Sequence, residues 1–361
     1  MLSVLGAALE KVPHYQDGTG NFIVGAADEA EYTSKVSAAS ASEPVRLFIA
    51  HTDHPGFHGL AWGRGGLLDV RWHGGAPVKG LIGSKVWVAD KSGYVAEGTF
   101  RSVKIRKGRL ESGIVALKGQ QLSSVRADSL FGGFAFKAPV WKQGRRYYTK
   151  AADDLVGAFV ITHLARTIWE AQDPARDRFL GLLTRAEEVG FIGAIAHFER
   201  NLTDTHSRKQ VLCISLETSR TLPGAEIGKG PVLRLGDRAT TFDAGCLQIF
   251  QRLAQGALKD RYQRRIMDGG TCEGTVGMAY GYPTLGISIP LGNYHNQNFE
   301  GGPGTRVKGG PAPEFVDSGD IQGMLKLCTA LLEPGAKWDA PWTDKRRELV
   351  AGLERYRSLL G

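Results

Sequence analysis

The sequence predicts an α/β protein built around a mainly parallel mixed sheet, with a small β-barrel inserted into it. After about residue 150, long helical segments alternate with short, fully apolar strands, which is typical of sheets covered by helices on both faces. Between about residues 63 and 149, short runs of alternating apolar and polar residues are separated by Gly-rich turns. We therefore predict a three-layer α/β sandwich formed by residues 1–62 and 150–361, interrupted by a β-rich domain over residues 63–149.

The individual elements follow from local patterns of apolar residues and turn formers. The first block contains a helical start, a turn at DGTGN (residues 17–21) and a buried strand that begins at Leu47. In the insertion, strands are expected in SKVWVAD, GTFRSVKI and GIVALKG (84–90, 98–105 and 113–119). In the last block, helices are expected at 153–172, 189–200 and 244–265, and strands at 179–185, 211–217 and 284–291.

Composition and charge restrict the function classes. The 361 residues are 23% charged and 42% hydrophobic, as in ordinary globular proteins of one or two domains. No apolar run is long enough to cross a bilayer, and no cationic segment precedes the apolar N-terminal stretch. The 4 cysteines are widely spaced without a CxxC pair, which disfavours a disulfide framework and a thiolate zinc site. The net charge of +8 is scattered rather than gathered on an aromatic-rich face, so we expect a cytoplasmic protein with neither nucleic acid nor membrane as a partner.

Polar side chains of ligand type follow several predicted strands at the point where each strand ends. In α/β sheets, functional sites gather at the carboxyl ends of the strands. Each group also has a structural explanation, since carboxylates often cap helices and histidines often lie in loops. Their repeated occurrence at corresponding positions favours one common site over separate caps. The residues concerned are His51 and Asp53, Asp153 and Asp154, Glu187 and Glu188, Glu217, and His295.

The ordered series AHTD, DD, EEVGFIGA, a strand-end glutamate and GYPTLGISIPLGNYH resembles the co-catalytic dizinc aminopeptidases. Within them it is most similar to the glutamyl aminopeptidase and tetrahedral aminopeptidase family, which includes the cellulase M-like proteins. The similarity covers nearly the whole chain, including DGTGN and the β-rich insertion. It implies a metal-dependent aminopeptidase that removes N-terminal residues from short peptides, with residues 1–62 and 150–361 as its dimetal catalytic domain. It also implies a homo-oligomer, in this family commonly a hollow dodecamer that the insertion helps to build.

The resemblance also implies a role for each site residue. Two divalent ions, zinc with cobalt or manganese as alternatives, would be bound by His51, Asp153, Glu188, Glu217 and His295, with Asp153 shared between them. The catalytic residues would be Glu187, as the general base, and Asp53, as the carboxylate that orients His51. Asp154 would lie in the strained peptide typical of this superfamily. The residue types suit this assignment, because nitrogen and oxygen donors bind Zn²⁺ and a free carboxylate beside the ions can transfer a proton.

Several features leave alternatives open. Leu155 follows the aspartate pair where the family usually has Arg, and the family's strand-end ligand is usually Asp rather than Glu. Ser215 shares a strand face with Glu217, so the register of that ligand is uncertain by two residues. The candidates for substrate contact are Arg234, Asp237, Arg238, Thr271 and Glu273, each with a solvated loop as the alternative. His54 and His58 lie near the first ligand, where a surface or supporting position is favoured over substrate contact or metal binding.

Other activities also remain compatible with the sequence. The same dimetal scaffold serves carboxypeptidases and N-acyl amino acid deacylases. A scaffold or binding subunit whose site has decayed is a third possibility, which the intact ligand set disfavours.

Overall fold

The computed structural model describes residues 7–118, 125–200, 202–203 and 206–360. Its strands are β1 (His14–Gln16), β2 (Phe22–Val24), β3 (Val45–His51), β4 (Gly56–Trp62), β5 (Leu67–His73), β6 (Lys85–Asp90), β7 (Gly93–Arg106), β8 (Arg109–Leu117), β9 (Phe131–Phe134), β10 (Val140–Gln143), β11 (Arg146–Thr149), β12 (Phe179–Thr184), β13 (Val211–Arg220), β14 (Val232–Asp237), β15 (Gln263–Met267), β16 (Thr284–Leu291) and β17 (Glu314–Asp317). Its α-helices are α1 (Glu29–Ala38), α2 (Ala152–Glu170), α3 (Ile192–Glu199), α4 (Ala244–Leu258), α5 (Glu273–Ala279), α6 (Ser318–Leu332) and α7 (Thr343–Tyr356).

An eight-stranded mixed sheet in the order β1-β2-β12-β3-β13-β16-β14-β15 forms the centre of the molecule. The four middle strands, β12, β3, β13 and β16, are mutually parallel. Every residue of β3 and of β16 is buried, as expected for parallel strands that are covered on both faces. Their carboxyl ends therefore open at one edge of the sheet.

Helices cover both faces of this sheet. Phe48 and Ala50 of β3 point into a core with α2, α4 and α6. Leu47 and Ile49 point into the opposite core, to which α1, α3 and α5 contribute. The predicted three-layer α/β sandwich is confirmed.

The insertion forms a closed barrel in the order β4-β5-β8-β7-β6-β9. Its interior is packed with aromatic and branched side chains, among them Phe57, Trp72 and Phe100. The barrel begins at Gly56, ahead of the expected boundary near residue 63, because β4 pairs with both β5 and β9 to close it. The division of the chain into domains stays a prediction.

Between the barrel and α2, the chain forms β10 and β11, which make a small antiparallel sheet with β17. Two of the predicted elements lie partly outside the described residues. They are the N-terminal helix, which falls mainly on residues 1–6, and the strand GIVALKG, whose last residue is 119. None of the helices that the structure describes is long and apolar enough to cross a membrane.

One predicted helix was too long. The segment expected to be helical over 244–265 is helical only to Leu258, where Lys259 adopts a left-handed φ of 55°. Gln263–Met267 instead forms β15, an edge strand parallel to β14. Its first four residues alternate between half-buried and exposed, and only Met267 is buried. Its three polar residues therefore resemble the exposed surface of a helix in the sequence.

Candidate metal centre

The predicted ligand residues meet at the carboxyl edge of the central strands. His51 is the last residue of β3, and Glu217 lies in β13. Glu187 and Glu188 follow β12 in a short 3₁₀ turn. A turn after β16 carries His295, and Asp153 lies in the first turn of α2, which packs against β3 and β13.

Asp153 lies between the two histidines. Its Oδ1 is 3.3 Å from His51 Nε2, and its Oδ2 is 3.8 Å from His295 Nε2. His295 Nε2 is also 3.3 Å from Glu188 Oε1, and His51 Nε2 is 3.9 Å from Glu187 Oε2. One carboxylate thus offers a separate oxygen to each side of the site. The peptide bond from Asp153 to Asp154 is cis.

The unpaired polar atoms at this point match the chemistry of a divalent cation. Among the described residues, Asp153 Oδ1, Glu188 Oε1 and His295 Nε2 are buried without a hydrogen-bond partner. Buried polar atoms are nearly always paired, so a cluster of unpaired donors and acceptors needs another partner. One ligand atom from each of His51, Asp153 and Glu188 lies within 4.8 Å of the others. Nitrogen and carboxylate oxygen are ligands that Zn²⁺ prefers, so the residues fit such an ion.

The electrostatics of the site reflect crowded, buried carboxylates. Burial raises the pKa of Glu187 to about 10, a change that His51 opposes and that the charges of Glu217 and Glu188 reinforce. Burial likewise raises the pKa of Glu217 to about 7, although Arg234 opposes it. Buried groups of like charge resist ionisation unless a cation compensates them. A bound cation is therefore favoured by the charge distribution as well as by the geometry.

Asp53 makes different contacts from those expected of it. His51 Nδ1 lies 3.1 Å from the backbone carbonyl oxygen of Asp53 but 3.9 Å from its carboxylate. That carboxylate accepts hydrogen bonds from the backbone N–H groups of Glu187, at 3.0 Å, and Glu188, at 3.2 Å. The side chain of Asp53 therefore holds the turn that presents the glutamate pair. Its expected role in orienting His51 stays a prediction.

Both candidate positions on β13 lie in the site. Ser215 Oγ donates a hydrogen bond to Glu217 Oε1 at 3.3 Å, and Arg234 Nη1 lies 3.8 Å from Glu217 Oε2. Ser215 and Glu217 are both buried. Glu217 supplies the carboxylate on this face of β13, and Ser215 donates a hydrogen bond to it. That Glu217 rather than Ser215 binds the metal stays a prediction.

The weaker candidates for substrate contact differ in their surroundings. Arg234 is only 2% exposed and Glu273 is fully buried, where burial raises its pKa to about 8. Thr271 is half-buried and Arg238 is exposed. Asp237 anchors their loop, since its carboxylate accepts hydrogen bonds from the Cys272 N–H at 3.1 Å and from Thr275 Oγ1 at 2.5 Å. Contact of these residues with a substrate stays a prediction.

Sequence reasoning missed one support of the site, Glu314. Glu314 is fully buried at the start of β17, and its carboxylate accepts hydrogen bonds from the backbone of Ala152, Asp153 and His295. His54, expected near the first ligand at the surface or in a supporting position, has Nδ1 2.8 Å from the backbone oxygen of Asp153. The only sequence signal for Glu314 was a lone charge within the apolar segment PAPEFV.

Comparison with known proteins agrees with the motif series. The sequence profile of the M42 glutamyl aminopeptidase family matches residues 131–299, a span that contains Asp153, Glu187, Glu188, Glu217 and His295. No curated protein sequence matched this chain significantly.

Several solved structures share the fold. The TET aminopeptidase of a marine sediment archaeon of the Thaumarchaeota superimposes with a TM-score of 0.71 at 20% identity, covering 92% of this chain and 91% of its own. The TET1 peptidase of Pyrococcus horikoshii gives 0.69 at 18% identity, with 92% and 93% covered. An aminopeptidase of Desulfurococcus kamchatkensis gives 0.68 at 20% identity, with 93% and 90% covered. Together with the family profile, these matches confirm the similarity of this chain to the M42 glutamyl aminopeptidase and tetrahedral aminopeptidase family.

Proposed function

We propose that this protein is a metal-dependent aminopeptidase that removes N-terminal residues from short peptides. The observation that carries the proposal is the convergence of unpaired donor atoms from Asp153, Glu188 and His295 at the carboxyl edge of the sheet. The match to the M42 family profile, over a span that contains these residues, supports the same activity.

The residues of the site divide into two groups of ligands that share Asp153. His51 and Glu217 would hold one ion together with Asp153, and Glu188 and His295 would hold the other. We propose two divalent ions, zinc with cobalt or manganese as alternatives, because both carboxylate oxygens of Asp153 face a histidine. When bound, such ions polarise a carbonyl group and make water acidic enough to act as a nucleophile near neutral pH.

Glu187 is the proposed general base. Its carboxylate lies beside the ligand cluster, 3.9 Å from His51, and its backbone is fixed by the carboxylate of Asp53. From this position Glu187 Oε2 can take a proton from the attacking water and later deliver it to the leaving amine. Its side chain is only 11% exposed, so bulk water competes little for that proton.

A substrate panel on metal-defined protein tests the function. The protein is stripped with a chelator, reloaded with Zn²⁺, Co²⁺ or Mn²⁺, and assayed on short peptides with free or acetylated N-termini. We expect release of the N-terminal residue from free peptides, little cleavage of acetylated ones, and loss of activity in the stripped protein. Metal content is measured on each sample.

Other outcomes identify the alternatives. Release of C-terminal residues indicates a carboxypeptidase, and hydrolysis of N-acyl amino acids indicates a deacylase. A folded protein that retains no divalent ion after reloading indicates a scaffold whose site has decayed. Each of these results overturns the proposed aminopeptidase.

The assembly and location are further proposals. The Pyrococcus horikoshii TET1 peptidase can assemble into a tetrahedron or a large octahedral shell, and this supports a homo-oligomer here, with a dodecamer as the specific expectation. In such an assembly only short peptides would reach the site. We propose a cytoplasmic location. Size-exclusion chromatography with light scattering tests the assembly, and a species of the mass of one chain contradicts it.

A further inference from the structure

We propose that Glu314 is a positioning residue of the metal centre, one that locks the shared ligand Asp153 and the ligand His295 into a single arrangement. The inference rests on the proposed function only in treating these residues as ligands. Glu314 itself touches neither metal nor substrate, and acts through the backbone of the two ligand segments.

The contacts of Glu314 join segments that are far apart in the chain. Its Oε2 accepts hydrogen bonds from the N–H groups of Ala152, at 2.7 Å, and Asp153, at 3.1 Å. Its Oε1 accepts the N–H of His295 at 2.9 Å. Only a carboxylate offers enough acceptor sites on two oxygens for all of these donors, whereas an amide would turn an NH₂ group towards one of them.

The backbone around Glu314 is anchored close to each partner. Glu314 lies opposite Thr149 in the β11–β17 pair, just before Ala152 in the chain. The next residue, Phe315, exchanges backbone hydrogen bonds of 2.9 and 3.2 Å with Gly292, just before His295. Since Glu314 is fully buried, water cannot replace its carboxylate. The side chain therefore acts as a fixed link between the two ligand segments.

The backbone of His295 needs such a link. His295 has φ 53° and ψ 39°, in the left-handed region, and the neighbouring Asn293 and Asn296 also have positive φ. Residues other than glycine hold this conformation only where surrounding contacts enforce it. The bond from the His295 N–H to Glu314 is such a contact. If it is lost, the imidazole can turn away from Glu188, 3.3 Å from it.

Asp153 is held from both sides of its peptide. Glu314 accepts its N–H group, while His54 Nδ1 lies 2.8 Å from its backbone oxygen. Supporting residues of this kind typically change metal affinity or activity by about 10–100-fold when they are replaced. Because Glu314 serves both Asp153 and His295, its loss should weaken the side of the site formed by His295 most strongly.

The test compares E314Q with a matched control, D320N. Asp320 is also a buried carboxylate, 1% exposed, that accepts two backbone N–H groups, from Gly228 at 2.7 Å and Gly230 at 2.8 Å. Its partners lie outside the ligand segments. Binding of Zn²⁺ and Co²⁺ to each stripped, full-length protein is measured by titration calorimetry, together with the visible spectrum of bound Co²⁺ and the thermal unfolding midpoint.

We expect E314Q to lower the affinity for the weaker-bound ion by about 10–100-fold and to change the Co²⁺ spectrum. D320N should lower the unfolding midpoint while both affinities and the spectrum stay as in the wild type. Wild-type affinities and spectrum in folded E314Q overturn the proposal. If E314Q does not fold, the same measurements are made on E314D, whose shorter carboxylate cannot reach both ligand segments. Wild-type metal binding in E314D also overturns the proposal. A wild-type protein that binds no divalent ion refutes instead the proposed metal-dependent function.

Discussion

Replacing Asp53 with asparagine separates two ways in which this carboxylate could serve the site. If it orients His51, the loss should fall on the ion bound by His51. If it holds the glutamate turn, as its hydrogen bonds of 3.0 and 3.2 Å to Glu187 and Glu188 indicate, the loss should fall on proton transfer and on the ion bound by Glu188. The backbone carbonyl that faces His51 Nδ1 is unchanged by the substitution.

The magnitude follows from the hydrogen bonds. The asparagine oxygen can still accept one N–H group, but its NH₂ group faces the other, so about one charge-assisted hydrogen bond is lost. Such a bond contributes about 1.5–3 kcal/mol. Asp53 is 27% exposed in its side chain, which favours the lower half of this range. A loss of about 1.5–2 kcal/mol corresponds to a decrease of roughly 10–30-fold in kcat if it falls wholly on the transition state.

The assay combines steady-state kinetics with metal titration, using D320N as the control. Asp320 likewise accepts backbone N–H groups, from Gly228 at 2.7 Å and Gly230 at 2.8 Å, but holds a segment without proposed ligands or candidate substrate contacts. We expect D53N to lose kcat while one of its two ion affinities, that of the site formed by His51, stays close to that of the wild type. Full kcat together with a selective loss of the His51 ion would refute this reasoning and restore the orienting role.

Three further predictions concern other parts of the molecule. Glu187→Gln should retain its metals and lose about 10²–10⁴-fold in kcat, since a general base contributes that much; near-normal turnover with full metal content excludes Glu187 as the base. Gly75→Ala should weaken metal binding, because a methyl group there would overlap the His295 imidazole, whereas Gly256→Ala in α4 has open space and serves as the control; equal metal affinity in both contradicts the contact. Burial lowers the pKa of His197 to about 4, so only the unfolded chain gains this proton as the pH falls from 7.5 to 5, and stability should drop by about 2 kcal/mol more in the wild type than in His197→Gln. Denaturant unfolding at both pH values measures this difference, and parallel losses would show that His197 is not responsible.

Local pattern was sufficient for the four middle strands of the central sheet and for most of the proposed ligands. Consecutive residues are enough to recognise the apolar run that ends at His51 and the alternation of strands and helices after residue 150. Functional sites in such sheets lie at the carboxyl ends of the strands. Glu187 and Glu188 could likewise be found beside their strand. The edge strand β15 could not, because its alternation of half-buried and exposed polar residues resembles the surface of the preceding helix.

The supports of the site depend on contacts between distant parts of the chain. Glu314 meets Ala152 across 162 positions of sequence, and Asp53 meets Glu187 across 134. No periodic pattern marks a carboxylate that accepts backbone N–H groups from another segment, and a glycine that gives room to His295 looks like any turn glycine until the barrel lies against the sheet. Local sequence was therefore enough to predict the middle strands and the residue types at their carboxyl ends. The tertiary structure alone decided which backbone groups hold them in place, because hydrogen bonding and close packing depend on distances that consecutive residues do not set.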